Sequence, residues 1–147
     1  MTAGLPALLV LDTNVVSELM RAAPDARVRK WVAEVESEVV YTTSITLAEV
    51  RFGIAHLPTG RRRALLETAA DDVFGTFADR VLPFDAAAAT HYGDVVVERE
   101  QRGAPITGFD AQIAAICRGH GAALATRNTA DFSGLGLELV DPWASGT

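Results

Sequence analysis

The sequence predicts an α/β fold: a central parallel sheet with helices on both faces. Three observations lead there. Short apolar runs alternate with longer helix-patterned stretches along the chain. The first run, Ala7-Leu8-Leu9-Val10-Leu11, contains no polar residue, as expected of a strand buried on both faces. Proline and glycine clusters punctuate the transitions, as at Pro58-Thr59-Gly60 and Gly103-Ala104-Pro105. At 147 residues the chain is expected to form one domain, 1–147. That length buries a core without disulfides or structural metal.

Each element follows in order. Ala7–Leu11 is the first strand. Ser17–Met20 reads as a short helix ending near Pro24. Asp25 caps a second helix through Val28, Trp31, Val32 and Val35, which share a face. Val39–Thr42, β-branched and aromatic, is the second strand. Thr46–Leu57 is helical, with Glu49 near its opening, and 60–77 is a further helix containing Gly75. Val81–Phe84 is a short strand, and Asp85 caps an alanine-rich helix reaching about Arg102. Asp110–His120 is a helix closed by Gly121 as its C′ residue. Ala122–Thr126 and Leu137–Val140 are the last strands. Right-handed crossovers place the strand ends, and the residues after them, along one edge.

Composition narrows the function. Nearly half the residues are hydrophobic (49%) and 22% are charged, which fits a packed fold and not a disordered chain. The net charge of −6 argues against a protein that coats duplex DNA, because phosphate neutralisation requires a basic surface. The one basic cluster, Arg61-Arg62-Arg63, is either a solvated helix start or an RNA contact. Cys117 is the only cysteine and reads as a small core residue. No apolar stretch approaches the roughly 20 residues of a bilayer span, and Met1–Pro6 lacks a leader pattern. A cytoplasmic protein is expected.

Position selects candidates among the 19 acidic residues. Asp12 stands at the end of the first strand, where open α/β sheets bind ligands. Glu49 falls between two apolar stripes, Leu47/Val50/Ile54/Leu57 and Ile45/Ala48/Phe52. A carboxylate so placed is partly buried, and burial is costly unless the charge is paired or bound to metal. Of the two stripes, the first reads as core and the second as shared between core and site. Asp110 precedes an almost wholly apolar helix start, where an ordinary N-cap is the simpler reading. Asp131 follows a buried strand and is either a loop residue or a site residue. For Asp85, capping is favoured. Carboxylates gathered this way suit Mg²⁺ or Mn²⁺, hard ions that take oxygen ligands. Such ions activate water and offset charge on a displaced phosphate. His56, His91 and His120 lack zinc spacing. Phosphate-loop, dinucleotide and serine-elbow motifs are absent.

Seven segments, LDTNVVSEL (11–19), SITLAEVRFGI (44–54), LPTGRRR (57–63), LPFD (82–85), DAQIAAI (110–116), LATRNTADF (124–132) and DPW (141–143), occur in an order that resembles PIN-domain ribonucleases of the VapC/FitB-like toxin type. The resemblance covers nearly the whole chain. It implies a three-layer α/β/α sandwich and an Mg²⁺- or Mn²⁺-dependent endoribonuclease, the toxin of a toxin–antitoxin pair. It places Asp12, Glu49 and Asp110 on the family's first three acids, with Asn14 and Thr126 supporting them. The fourth acid is open: Asn128 stands where some relatives carry it, and Asp131 follows three residues later. The resemblance also implies a homodimer, neutralised by a small antitoxin that covers the acidic groove. Two rivals stay in view. A haloacid dehalogenase-type phosphatase requires an acid two residues after Asp12, where this chain has Asn14. A PIN-like scaffold that binds RNA or protein without cutting is the other.

Overall fold

The computed structural model describes residues 8–144. Ala7, and the Met1–Pro6 segment read for a leader, lie outside the described residues. Strands β1 (Leu9–Leu11), β2 (Val40–Thr43), β3 (Val81–Leu82), β4 (Ala123–Ala125) and β5 (Leu139–Val140) form one parallel sheet in the order β3-β2-β1-β4-β5. Leu9 pairs with Val40 on one side and Ala123 on the other, so β1 is central. Its side chains alternate between two cores. Leu9 and Leu11 pack with Val15, Val28, Val50, Ile54 and Phe74, whereas Val10 packs with Leu82, Val95, Ile113 and Ile116. Both faces are therefore apolar, which is why the run carries no polar residue until Asp12. Each fully buried aliphatic of this kind stabilises the fold by about 1.5–3 kcal/mol.

Six helices cover the sheet: α1 (Thr13–Leu19), α2 (Ala26–Glu34), α3 (Ser44–Ala55), α4 (Arg61–Phe77), α5 (Ala86–Gln101) and α6 (Gly108–His120). The first four contribute to one core, and α5 and α6 pack together over the other. The three-layer α/β/α architecture is as expected. Asp25 caps α2 and Asp85 caps α5 through the Ala88 N–H at 3.0 Å. Gly121 closes α6 in the left-handed conformation, φ 61°. Gly75 and Gly93 do not interrupt their helices.

Three helix starts differ from expectation. The first helix begins at Thr13, not Ser17, because the Asp12 carboxylate accepts the Thr13 N–H at 2.8 Å and caps it. The third begins at Ser44, capped by the Thr43 hydroxyl, which places Glu49 in mid-helix. The sixth begins at Gly108 with Thr107 as its cap. Asp110 is thus a first-turn residue and not the N-cap. The second stripe of α3 also divides: Ile45 packs against the second core, but Ala48 is exposed and Phe52 is 63% exposed, against the edge of His56.

Candidate active site

The sheet order reverses direction at β1: the chain moves to β2 and β3 on one side, then to β4 and β5 on the other. The crevice at such a switch point, beyond the carboxyl ends of β1 and β4, is where open parallel sheets bind ligands. Asp12 leaves β1 there, its N–H donating to the Ala125 carbonyl at 2.9 Å. Thr126 leaves β4 and donates its hydroxyl to Asp12 Oδ2 at 2.8 Å. Asn14 completes the clasp. Its Nδ2 donates to Thr126 Oγ1 at 3.4 Å, and its Oδ1 accepts the Arg127 N–H at 3.2 Å.

Glu49 reaches the same place from α3. The Thr13 hydroxyl donates to Glu49 Oε1 at 2.6 Å and meets Thr46 Oγ1 at 3.0 Å. Thr43 donates to Thr46 in turn, at 3.4 Å. Once Thr13 donates to the carboxylate, Thr46 must donate to Thr13, so the three hydroxyls point one way, towards Glu49. Asp110 arrives from the first turn of α6. Because Thr107 caps that helix, the Asp110 carboxylate is not needed there.

Asp12, Thr13, Asn14, Glu49 and Asp110 line a groove of about 600 Å³ together with Asn128, Glu18, Arg21, Arg127 and Trp143. Its electrostatics are unfavourable as they stand. Burial raises the pKa of Asp12, which is 4% exposed, against the opposing hydrogen bonds from Thr126 and Thr13; Glu49 and Asp131 raise it further. Glu49 is raised by burial and by Asp110, against the Thr13 hydrogen bond. Asp110 is pushed up to about 6, first by burial and then by the charge on Asp12. None of the three forms an ion pair among the described residues. Asp131 is exposed and outside the lining, yet near enough for its charge to be felt by Asp12 and Asp110. Asn128 lines the groove itself.

The basic cluster separates. Arg63 donates to the Leu57 carbonyl at 3.3 Å and so helps end α3. Arg62 lines an adjoining, more apolar groove of about 300 Å³ with Met20, Val50, Ile54 and Leu66; Arg61 is exposed. Six residues of the acidic groove had no assigned site role in the sequence: Thr13, Ser17, Glu18, Arg21, Arg127 and Trp143. Glu18 was findable. With α1 starting at Thr13, Asn14 and Glu18 stand four apart and share a face.

The donors are of the type a hard divalent ion takes. Carboxylates from three elements line one groove, none of them ion-paired among the described residues, and unpaired buried carboxylates favour a bound cation. Among the described residues, no group of three or more His, Cys, Asp or Glu side chains is arranged as a ready-made cage. Mg²⁺ does not require one, since it binds through one or two carboxylates and keeps several waters.

Known proteins share this arrangement of chain. Residues 9–136 match the PIN domain family. A VapC ribonuclease, Y4jK, of Sinorhizobium fredii is 41% identical over 137 residues, covering 92% of this chain and 98% of its own. The toxin FitB of Neisseria gonorrhoeae is 36% identical, covering 92% and 99%. The crystal structure of FitAcB from Neisseria gonorrhoeae superposes with a TM-score of 0.86 at 34% identity, covering 94% of this chain and all of its counterpart. With a family match across most of its length and relatives of this closeness, the chain belongs to the PIN-domain family.

Proposed function

We propose that this protein is the ribonuclease toxin of a toxin–antitoxin pair and cuts RNA phosphodiester bonds with the help of Mg²⁺ or Mn²⁺. One observation carries the reading: three carboxylates from β1, α3 and α6 line one groove, all pushed towards the neutral form and none paired with a protein cation. Asp12 and Asp110 would hold the principal ion, and Glu49 would hold it directly or through water. Asn128, in the lining, or Asp131, just outside it, completes the rim. When bound, the ion supplies a nucleophilic water at neutral pH and offsets the charge that builds on the phosphate.

The chain's own residues prepare that chemistry. Thr13 N–H and Thr126 Oγ1 fix both oxygens of Asp12, so the carboxylate is oriented before substrate arrives. Such partners hold a ligand in position and tune its basicity. Glu49, at the end of the threonine chain, has a raised pKa and is the group suited to take a proton from the attacking water. The apolar walls of the second groove, continuous with the first through Thr13, Ser17, Arg21 and Glu49, fit a small antitoxin with an apolar segment and a basic tail. A homodimer in a single-domain chain is part of the same reading. Among the described residues no helix is long and apolar enough to cross a membrane, in keeping with a cytoplasmic site of action.

The test is controlled expression of wild type and Asp12→Asn with sequencing of RNA ends. Wild type should generate new ends and arrest growth. Asp12→Asn should do neither while unfolding at a similar temperature. EDTA should silence the purified wild type. Equal cleavage by Asp12→Asn in physiological Mg²⁺ would remove the basis of the reading. Release of phosphate from small phosphomonoesters, with RNA left intact, would favour the phosphatase.

A further inference from the structure

An acidic groove repels the polyanion it is meant to cut, and a bound ion compensates only at the groove floor. The phosphates on either side of the cleaved bond need cations of their own. Among the described residues the lining supplies two, Arg21 and Arg127. Arg21 follows α1 and stands where the acidic and apolar grooves meet; Arg127 follows β4 and lines the acidic groove alone.

Both side chains are held in place without being used up. Glu18, 8% exposed, is anchored by the Asp25 N–H at 2.8 Å and accepts Arg21 Nη1 at 3.3 and 3.4 Å. The Arg21 side chain is otherwise 67% exposed. A pair that open contributes little to stability, so its placement calls for another reason. Arg127 lies over the ring of Trp143, its guanidinium carbon 5.0 Å from the centroid, and it forms no ion pair among the described residues. Trp143 is itself 5% exposed, and its backbone N–H donates to Asp141 Oδ1 at 2.9 Å. Stacking leaves the edge of the guanidinium, with its fork of donors, able to grip a phosphate in two places.

The geometry points to Arg21 and Arg127 as the substrate contacts of this groove, each receiving one phosphate of a single RNA strand that passes over the acidic centre. The inference rests on the nuclease reading and adds to it which side chains position the substrate.

The experiment uses full-length Asp12→Asn, expected to hold RNA without cutting it, and a short fluorescent single-stranded RNA in Mg²⁺, with anisotropy read across a salt series. Adding Arg21→Met or Arg127→Met should each weaken binding about tenfold, the worth of one charged hydrogen bond. Each should also flatten the plot of log affinity against log salt by about 0.7, one phosphate contact to a single strand. Arg118→Met, which removes a cation paired with Glu98 outside the groove lining, should change neither. Methionine keeps an apolar stem over Trp143, and circular dichroism melts check that each variant is folded. Affinity and salt slope unchanged in both arginine variants would overturn the assignment, as would failure of the Asp12→Asn parent to retain the RNA. Cleavage by wild type is read separately on a gel. Uncut RNA there sinks the nuclease reading while the arginine result stands on its own.

Discussion

Asp25 and Asp110 both stand at the start of a helix, and their surroundings pull them in opposite directions. Asp25 caps α2. It accepts the Arg27 N–H at 2.8 Å and pairs with the Arg27 guanidinium at 2.9 Å, which holds its pKa down at about 2. Asp110 lies in the first turn of α6, whose cap is Thr107, and burial together with Asp12 lifts it to about 6. The first carboxylate is satisfied by the fold; the second is tolerated by it. A helix-start aspartate that something else has relieved of capping, and that no arginine pairs, is available for chemistry.

The sharpest way to break this contrast is to neutralise each acid. Asp110→Asn should lower RNA cleavage by more than the roughly 10- to 100-fold that loss of an outer partner costs. Asp25→Asn should leave cleavage within about twofold, since asparagine caps a helix as well as aspartate does. Equal losses in a gel-based rate assay would erase the distinction. The next effect is smaller. Thr126→Val removes a buried hydroxyl from Asp12 while conserving volume, and cleavage should fall by about 10- to 100-fold. Raising Mn²⁺ should restore part of that loss if the hydroxyl acts by orienting Asp12.

The smallest effect is on stability and has a definite sign. The folded pKa of Asp110 lies above its ordinary value of 3.8. Its contribution is therefore fully present below about 4 and is lost as pH rises through about 6. Without metal, Asp110→Asn should melt higher than wild type at pH 7.5, by about 3 °C, the shift that 1 kcal/mol brings in a chain of this size. The gap should close below pH 4. Asp25 behaves in reverse: its contribution is present above about 4 and disappears only as pH falls towards 2. Calorimetric scans in EDTA from pH 2 to 8 would read both, and a variant no more stable than wild type at pH 7.5 would contradict the burial of Asp110.

The order and type of the elements were legible because the central strands β1 and β4 are buried on both faces and the helices repeat apolar residues every three to four positions. The acids at the site were legible for the same reason, since Asp12 ends a run that nothing polar interrupts. Helix starts were not, because a hydroxyl cap lies outside the apolar repeat that marks a helix. Thr43 and Thr107 are both caps of this kind. The second left a trace: Thr107 stands three residues before Asp110, the spacing at which an N-cap hydroxyl accepts the N3 N–H, and that would have placed Asp110 inside the helix in advance. Arg21, Arg127 and Trp143 left none. Their roles come from distant segments meeting, and neither composition nor periodicity records that.

The acidic and apolar grooves share Thr13, Ser17, Arg21 and Glu49 as a common wall. A compact blocker with a greasy body filling the smaller recess and a cationic head would have its head delivered to Glu49 by shape alone. A group that grips the apolar recess beside Met20 and Leu66 thereby lies next to Glu49, on the wall the two recesses share.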